Sequence, residues 1–570
     1  MVICRPFHGG YVGILQLTIV LVGTYMLLAA VRHTDQHLIQ QQPPSIYEYT
    51  DGKTRGARQN ETNLPPAPPS DETAYLRLLA REYGLSNEMP FFARRIQARF
   101  DSRARRSMTE VTRTALVPHD FQRVRTDDER LNLHAESPAV RLSVTQSPKP
   151  DALNASALLF GISTSYDRLT YGNASLMGDW ARWLTDGEGN SNGASLVLTL
   201  HRASGAEIEY IGGKLREAGI DAMVLPADGT HDSAARYLDL AGLLARRNDA
   251  LLGESGRQKK KFLALVDDDV FFPSLGRLLD RLGEYNAKKA YIGLPSERSD
   301  WMVENNVTLT YGGGAVLLTP SMADLVSQLP CLNKTATRDY ISSTDGTGQW
   351  DERLYACITT HTDEKLHILP SLYTPSDDLY GLRTGYEGGV QPLILHHYKH
   401  RRRFEAGKAH LISSLCGEDC FLQRFFFRDD AWILVNGYSI SQYPDGVDVL
   451  PATKSLVLQK QDSSSSSGSN SNGNKIKVGD RLTFDRQDDG RKRADARMVV
   501  TWAGAKRTWR LLDSRRGAGG DVWQAYVKRR GSSSVPYGDE DDWVPEDTVH
   551  SQDGPSDVDS VIVLIWEPQR

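Results

Sequence analysis

An apolar run that ends in three consecutive carboxylates constrains this chain more than any other feature. Residues 262–266 read Phe-Leu-Ala-Leu-Val, and Asp267, Asp268 and Asp269 follow at once. The apolar pattern resumes at Val270, Phe271 and Phe272. A strand this apolar is expected to be buried on both faces, as in a parallel sheet. Three acids at its exit repel one another in a poorly solvated place. A divalent cation relieves that repulsion, because carboxylates suit Mg²⁺ and Mn²⁺. A solvated acidic turn, or a helix N-terminus that accepts negative charge, relieves it too. The run by itself leaves both open. A metal at the carboxyl end of an α/β strand would point to a phosphate-bearing ligand.

The surroundings of the run are α/β in pattern. Strand-like segments are read at 157–162, 195–200, 222–225, 262–266 and 290–293. Helical spacing falls between them at 208–218, 233–247 and 273–285. Such alternation implies a mostly parallel sheet. After Cys420 the pattern changes to strand-like runs between polar turns, at 425–427, 432–435, 498–502 and 561–566. The Ser/Asn/Gly-rich stretch 461–475 reads as a disordered insertion. Before residue 150 the chain carries proline clusters at 43–44 and 65–69 and many charges, as in a spacer. One helix is expected there, capped by Asp71 and running to about Tyr83.

Composition is that of a globular protein, with 40% hydrophobic and 24% charged residues. A net charge of -5 argues against a nucleic-acid binder. Residues 11–31 carry no formal charge and are long enough to span a bilayer. They read as an uncleaved signal anchor rather than a cleaved signal peptide. Arg5 and Arg32 flank the span, so the charge count does not orient it. A short leading segment before one early span usually stays cytosolic, which places the remainder in a lumen. Five Asn-X-Ser/Thr sequons agree with that: Asn60, Asn154, Asn173, Asn306 and Asn333. Four cysteines follow the span, and an even number can pair completely in an oxidising compartment. Sequence alone allows three connectivities; we expect Cys331–Cys357 and Cys416–Cys420.

Three further segments carry candidate chemistry. Gly312, Gly313 and Gly314 permit positive φ angles and close backbone approach to a ligand, although a loose turn would look the same. Trp350, Asp351 and Glu352 place two acids beside an aromatic ring, as a general base beside a sugar-stacking platform would require. A helix start would also favour acids there. His396 and His397 end a strand-like run and could complete a metal site with the earlier carboxylates, or could be structural.

In order and spacing these segments resemble the Fringe-like branch of glycosyltransferase family 31, especially its fungal subgroup. The resemblance covers roughly residues 158–399 and is most specific at 262–272, at 291–297 and in the glycine segment. It implies a GT-A type nucleotide-sugar-binding fold of the α/β class, with an N-terminal transmembrane helix and a small β-rich C-terminal domain. It also implies a UDP-sugar donor, Mn²⁺ or another divalent cation, a glycan or glycoprotein acceptor, inversion at the anomeric carbon, and a single-pass type II protein of the Golgi or ER. The family's DxD motif falls on Asp267, Asp268 and Asp269, with Asp269 the direct metal ligand and Asp267 beside it. Its late metal histidine falls on His396, or on His397 in the alternative register. Its catalytic base falls on Asp351, with Glu352 as substitute. Its nucleotide-contacting region falls on Ser163, Thr164 and Arg168, and on Asp268. The family's Gly-Gly-Ala-Gly becomes Gly312-Gly313-Gly314-Ala315, with the last two exchanged. The expected organisation is a cytosolic tail at 1–10, an anchor at 11–31, a stem at 32–150, a catalytic domain at 151–415 and a β-rich extension at 416–570. Two other classes compete with the enzyme: a non-catalytic lectin-like or scaffold protein on the same fold, and a calcium-binding surface domain. The latter would need alternating oxygen ligands within one loop, a pattern this sequence lacks.

Overall fold

Every residue from Phe262 to Val266 is buried, because the strand they form lies inside a sheet covered on both faces. The computed structural model describes residues 71–103, 107–172, 175–254, 258–285, 288–294, 302–304, 307–309, 314–332, 349–369, 392–396, 398–399, 405–451, 498–502, 506–530 and 558–568. The anchor at 11–31, Gly312, Gly313, His397, the insertion at 461–475 and every sequon except Asn154 lie outside them. Among the described residues no helix is long and apolar enough to cross a membrane. The described residues, all of them between Pro68 and Arg570, belong to one compact unit.

The central sheet has seven strands: Leu158–Ser165, Ser195–His201, Ala222–Pro226, Phe262–Val266, Tyr291–Leu294, Ala315–Leu318 and Leu366–Ile368. Numbered in that order they lie 3-2-1-4-6-5-7 across the sheet. The first four are mutually parallel, and Ala315–Leu318 runs antiparallel to both of its neighbours. The chain moves outward from the first strand to the third, then returns to the first strand's other side. The order therefore reverses between Leu158–Ser165 and Phe262–Val266, and such a reversal opens a crevice at the strands' carboxyl ends. Alternating residues feed two cores. Leu159, Leu263 and Leu265 pack with helix Ser233–Ala250, whereas Phe160, Ala264 and Val266 share the larger core with Trp180, Trp183, Ile211 and Leu215. Helix Gly205–Glu217 starts at a capping box in which Ser204 and Glu207 satisfy each other's backbone N–H groups.

The segment read as a stem is folded from Glu72 onward. Helix Glu72–Tyr83 forms where expected, with the Asp71 carboxylate accepting from the Ala74 N–H at 2.7 Å and Gly84 closing it in the left-handed conformation. Beyond it, Glu88–Asp101 is a long strand of a ten-stranded sheet, paired on one edge with Ser560–Glu567 and on the other with Gln122–Arg125 and Glu136–Thr145. The strand hides in the sequence because arginines punctuate it. Its Phe92, Ile96 and Ala98 face the core shared with the central sheet, while Met89, Phe91 and Ala93 meet Tyr75, Leu76 and Leu79 of the helix. The β-rich C-terminal region is accordingly not a small separate domain. Most of its strands build one sheet with the supposed stem, from Thr109–Thr112 at one edge to Gln122–Arg125 at the other, while Val447–Pro451 and Met498–Trp502 pair separately. Both expected disulfides form.

Candidate active site

The three aspartates occupy a tight turn. The Val270 N–H donates to the Asp267 carbonyl at 3.2 Å, and the Asp267 N–H donates to the Gly314 carbonyl at 3.0 Å. Val270–Phe271 then pairs antiparallel with Leu395–His396, putting His396 opposite Val270. This pairing brings His396 to the acid turn. His396 Nε2 lies 3.1 Å from Asp267 Oδ2 and 3.5 Å from Asp269 Oδ1. One ligand atom from each of the three residues falls within 4.8 Å of the others. Asp269 and His396 are buried, so two carboxylates share a poorly solvated place with one imidazole. That donor set fits a borderline-to-hard divalent ion such as Mn²⁺. Asp267 is oriented by Trp350, whose Nε1–H donates to Oδ1 at 2.6 Å and leaves Oδ2 for the histidine side.

Asp268 faces away from this group. Its carboxylate accepts from Thr164 Oγ1 and from Arg168 Nη2, the latter at 2.7 Å. Burial raises the Asp268 pKa, while Arg168 and Thr164 pull it down. Trp180 Nε1–H donates to the Asp268 carbonyl at 3.1 Å, fixing the turn from the far side. Thr164 and Arg168 thus join the acid turn. Ser163 points the other way, because strand neighbours alternate faces. It shares its face with Gly161, which abuts Leu240 and Leu244 of helix Ser233–Ala250.

Asp351 stands in the first turn of helix Trp350–His361. The disulfide from Cys357 to Cys331 ties that helix to the turn Pro330–Leu332. The Arg353–Asp232 pair, at 2.8 Å, ties it to the start of Ser233–Ala250. Asp351 is buried and its pKa is pushed up to about 7, first by desolvation and then by the negative charge of Asp267. A carboxyl with those neighbours has the proton affinity of a general base working near neutrality. Glu352 is half-buried beside it. Trp350 is not the sugar platform expected from sequence. Its ring is buried and stacks on Tyr237 at 4.6 Å, because the first residue of this helix turns into the core. Tyr237 in turn donates to the Val266 carbonyl at 2.9 Å. The indole serves Asp267 through its N–H.

Gly314 is a glycine for a reason the sequence did not disclose. A Cβ there would lie 2.6 Å from Val270 Cγ2 and 2.8 Å from His396 Cγ. The close approach is thus to the imidazole that completes the acid cluster. Gly314→Ala should displace the His396 ring and weaken divalent-cation binding by about 10–100-fold, the usual cost of disturbing a ligand's support. A Mn²⁺ titration of the folded variant checks this; an unchanged affinity would remove His396 from the ligand set.

A second acidic pair was legible only as part of a cysteine motif. Within the Cys416–Cys420 loop, Glu418 accepts from the N–H groups of Leu275 and Gly276 and from Ser274 Oγ, at 2.9–3.2 Å. Asp419 pairs with Arg277. This loop caps helix Leu275–Gly283, the first helix after the acid turn and strand Val270–Phe271. Burial pushes the Glu418 pKa up to about 7.

No family model matches the chain, and no curated protein does. Among solved structures it is similar to the glycosyltransferase GlyE of Streptococcus pneumoniae TIGR4, with 14% identity and a TM-score of 0.27 over 44% of this chain. The match spans 56% of GlyE's own length. Mouse xyloside xylosyltransferase 1 matches 42% of this chain and 96% of its own, with 14% identity and a TM-score of 0.25. The galactosyltransferase LgtC, solved with donor and acceptor sugar analogues, matches 37% of this chain and 72% of its own, with 9% identity and a TM-score of 0.24. These three neighbours are glycosyltransferases.

Proposed function

We propose that this chain is a metal-dependent glycosyltransferase that moves a sugar from a UDP-sugar to a hydroxyl of a glycan or glycoprotein. One observation carries the reading. Asp267 and Asp269 meet His396, remote from them in sequence, within 4.8 Å where the strand order reverses, in the neighbourhood of a buried carboxyl whose pKa is pushed up to about 7. A cation held by Asp267, Asp269 and His396 would offset the charge of a departing diphosphate. Asp351 takes the proton of the attacking hydroxyl. Displacement is direct and inverts the anomeric carbon, so no enzyme nucleophile is required. Arg168 and Thr164 hold Asp268 at the nucleotide side of the turn, with the Arg168 guanidinium partly open to solvent.

On its motifs we place the chain nearest the Fringe-like branch, with Mn²⁺ as the metal. We further propose a type II membrane protein with its folded unit in the lumen of the Golgi or ER. The apolar stretch at 11–31, the exposed sequon at Asn154 and the two disulfides support that compartment. The test is UDP release by the full chain with Mn²⁺ across a panel of UDP-sugars and glycan acceptors. Turnover of one donor, lost in excess chelator, is the expected result. Glycan binding with no donor turned over would instead identify a lectin-like scaffold.

A further inference from the structure

Asp179 and Lys399 form an ion pair at 2.6 Å, with each side chain only 5% exposed. Removing two charges from water costs more than such a pair commonly returns, so its contribution is better sought in what it fixes than in stability. What it fixes is the segment that carries His396. Asp179 Oδ2 also accepts from the Tyr398 hydroxyl at 2.8 Å. Tyr398 and Lys399 therefore both anchor to one carboxylate, just beyond the histidine. The next residue on the same helix, Trp180, holds the Asp268 carbonyl. One turn of Ser175–Leu184 thus grips the acid turn with one side chain and the histidine strand with its neighbour. Gly407 closes the far side of the carboxylate; a Cβ at that position would lie 2.3 Å from Asp179 Oδ1.

We propose that Asp179 is a positioning residue for the metal site. It holds Tyr398 and Lys399 so that His396 stays against Asp267 and Asp269, although it touches neither metal nor substrate itself. The inference rests on the metal half of the proposed function and does not require sugar transfer. Outer-shell groups of this kind commonly change metal affinity by about 10–100-fold.

Mn²⁺ binding to the full chain, followed by electron paramagnetic resonance, tests the proposal alongside thermal melting. Asp179→Asn keeps an acceptor for Tyr398 but leaves Lys399 buried opposite a neutral group. The double variant Asp179→Asn with Lys399→Met removes that unpaired charge and should melt near the wild type. Both should bind Mn²⁺ about 10–100-fold more weakly than wild type. The double variant separates positioning from stability, since it loses affinity without losing the fold. A dissociation constant within about twofold of wild type in the folded double variant would overturn the proposal, leaving Asp179 a packing residue. A wild type that binds no Mn²⁺ would overturn the metal site and this clamp with it. Weakened binding in the variants supports the clamp even where no donor is turned over.

Discussion

Asp269→Ala should abolish divalent-cation binding, and with it the proposed sugar transfer, while the chain stays folded. Asp269 is buried, and its Oδ1 lies 3.5 Å from His396 Nε2, inside the three-residue cluster. Its loss leaves one carboxylate and one imidazole, too few protein donors for a hard ion in a dry place. Folding should survive because the substitution removes a negative charge from beside Asp267 and Asp268. The contact it gives up with Arg168 is long, at 3.7 Å. Thermal melting with and without Mn²⁺ separates the two effects. A ligand at a hundred times its dissociation constant stabilises the native state by about 2.7 kcal/mol. The wild type should show such a shift, and Asp269→Ala should show none. A retained shift, or turnover at the wild-type rate, would sink the assignment.

Asp351→Asn should lower turnover by about 10²–10⁴-fold, the usual worth of a positioned base, with Mn²⁺ affinity kept. The wild-type rate should rise with pH as Asp351 ionises, at or below about 7, because a cation on Asp267 would offset one of the two influences that raise its pKa. The same carboxyl has a stability signature. Its folded pKa of about 7 lies above its ordinary value of 3.8, so the unfolded chain releases the proton first. Asp351 therefore favours unfolding increasingly as pH rises between those values, and steadily above them. Asp351→Asn should raise the melting temperature at about pH 8 relative to wild type, and lose that advantage near pH 4. A flat pH–rate profile, or an unchanged rate in the variant, would move the base to Glu352.

The acid run was readable because its two halves conflict within a few residues. A strand apolar enough for both faces cannot end in three carboxylates without something to receive them. Helix Glu72–Tyr83 was readable for a similarly local reason, since its cap and its apolar spacing both lie within a dozen residues. The long strand Glu88–Asp101 escaped because its arginines mask the alternation, and its partners, such as Ser560–Glu567, lie hundreds of residues away. Trp350 was readable as an aromatic beside acids, but not as a donor to Asp267. Which way a ring turns depends on Tyr237, and no local spacing specifies that contact.

The sequence by itself determined the α/β alternation, the position of the acid run and the residue types able to hold a cation or move a proton. Local chemistry suffices for these, because periodicity and side-chain charge are properties of neighbours in the chain. Tertiary structure alone decided how they divide the work. Asp267 and Asp269 turn toward His396, while Asp268 turns to Thr164 and Arg168. His396 reaches the acids through its pairing with Val270–Phe271, and the need for glycine at Gly314 comes from the ring that pairing delivers. The reason is physical: a metal cluster is a matter of ångströms between residues remote in sequence, and only packing sets those distances.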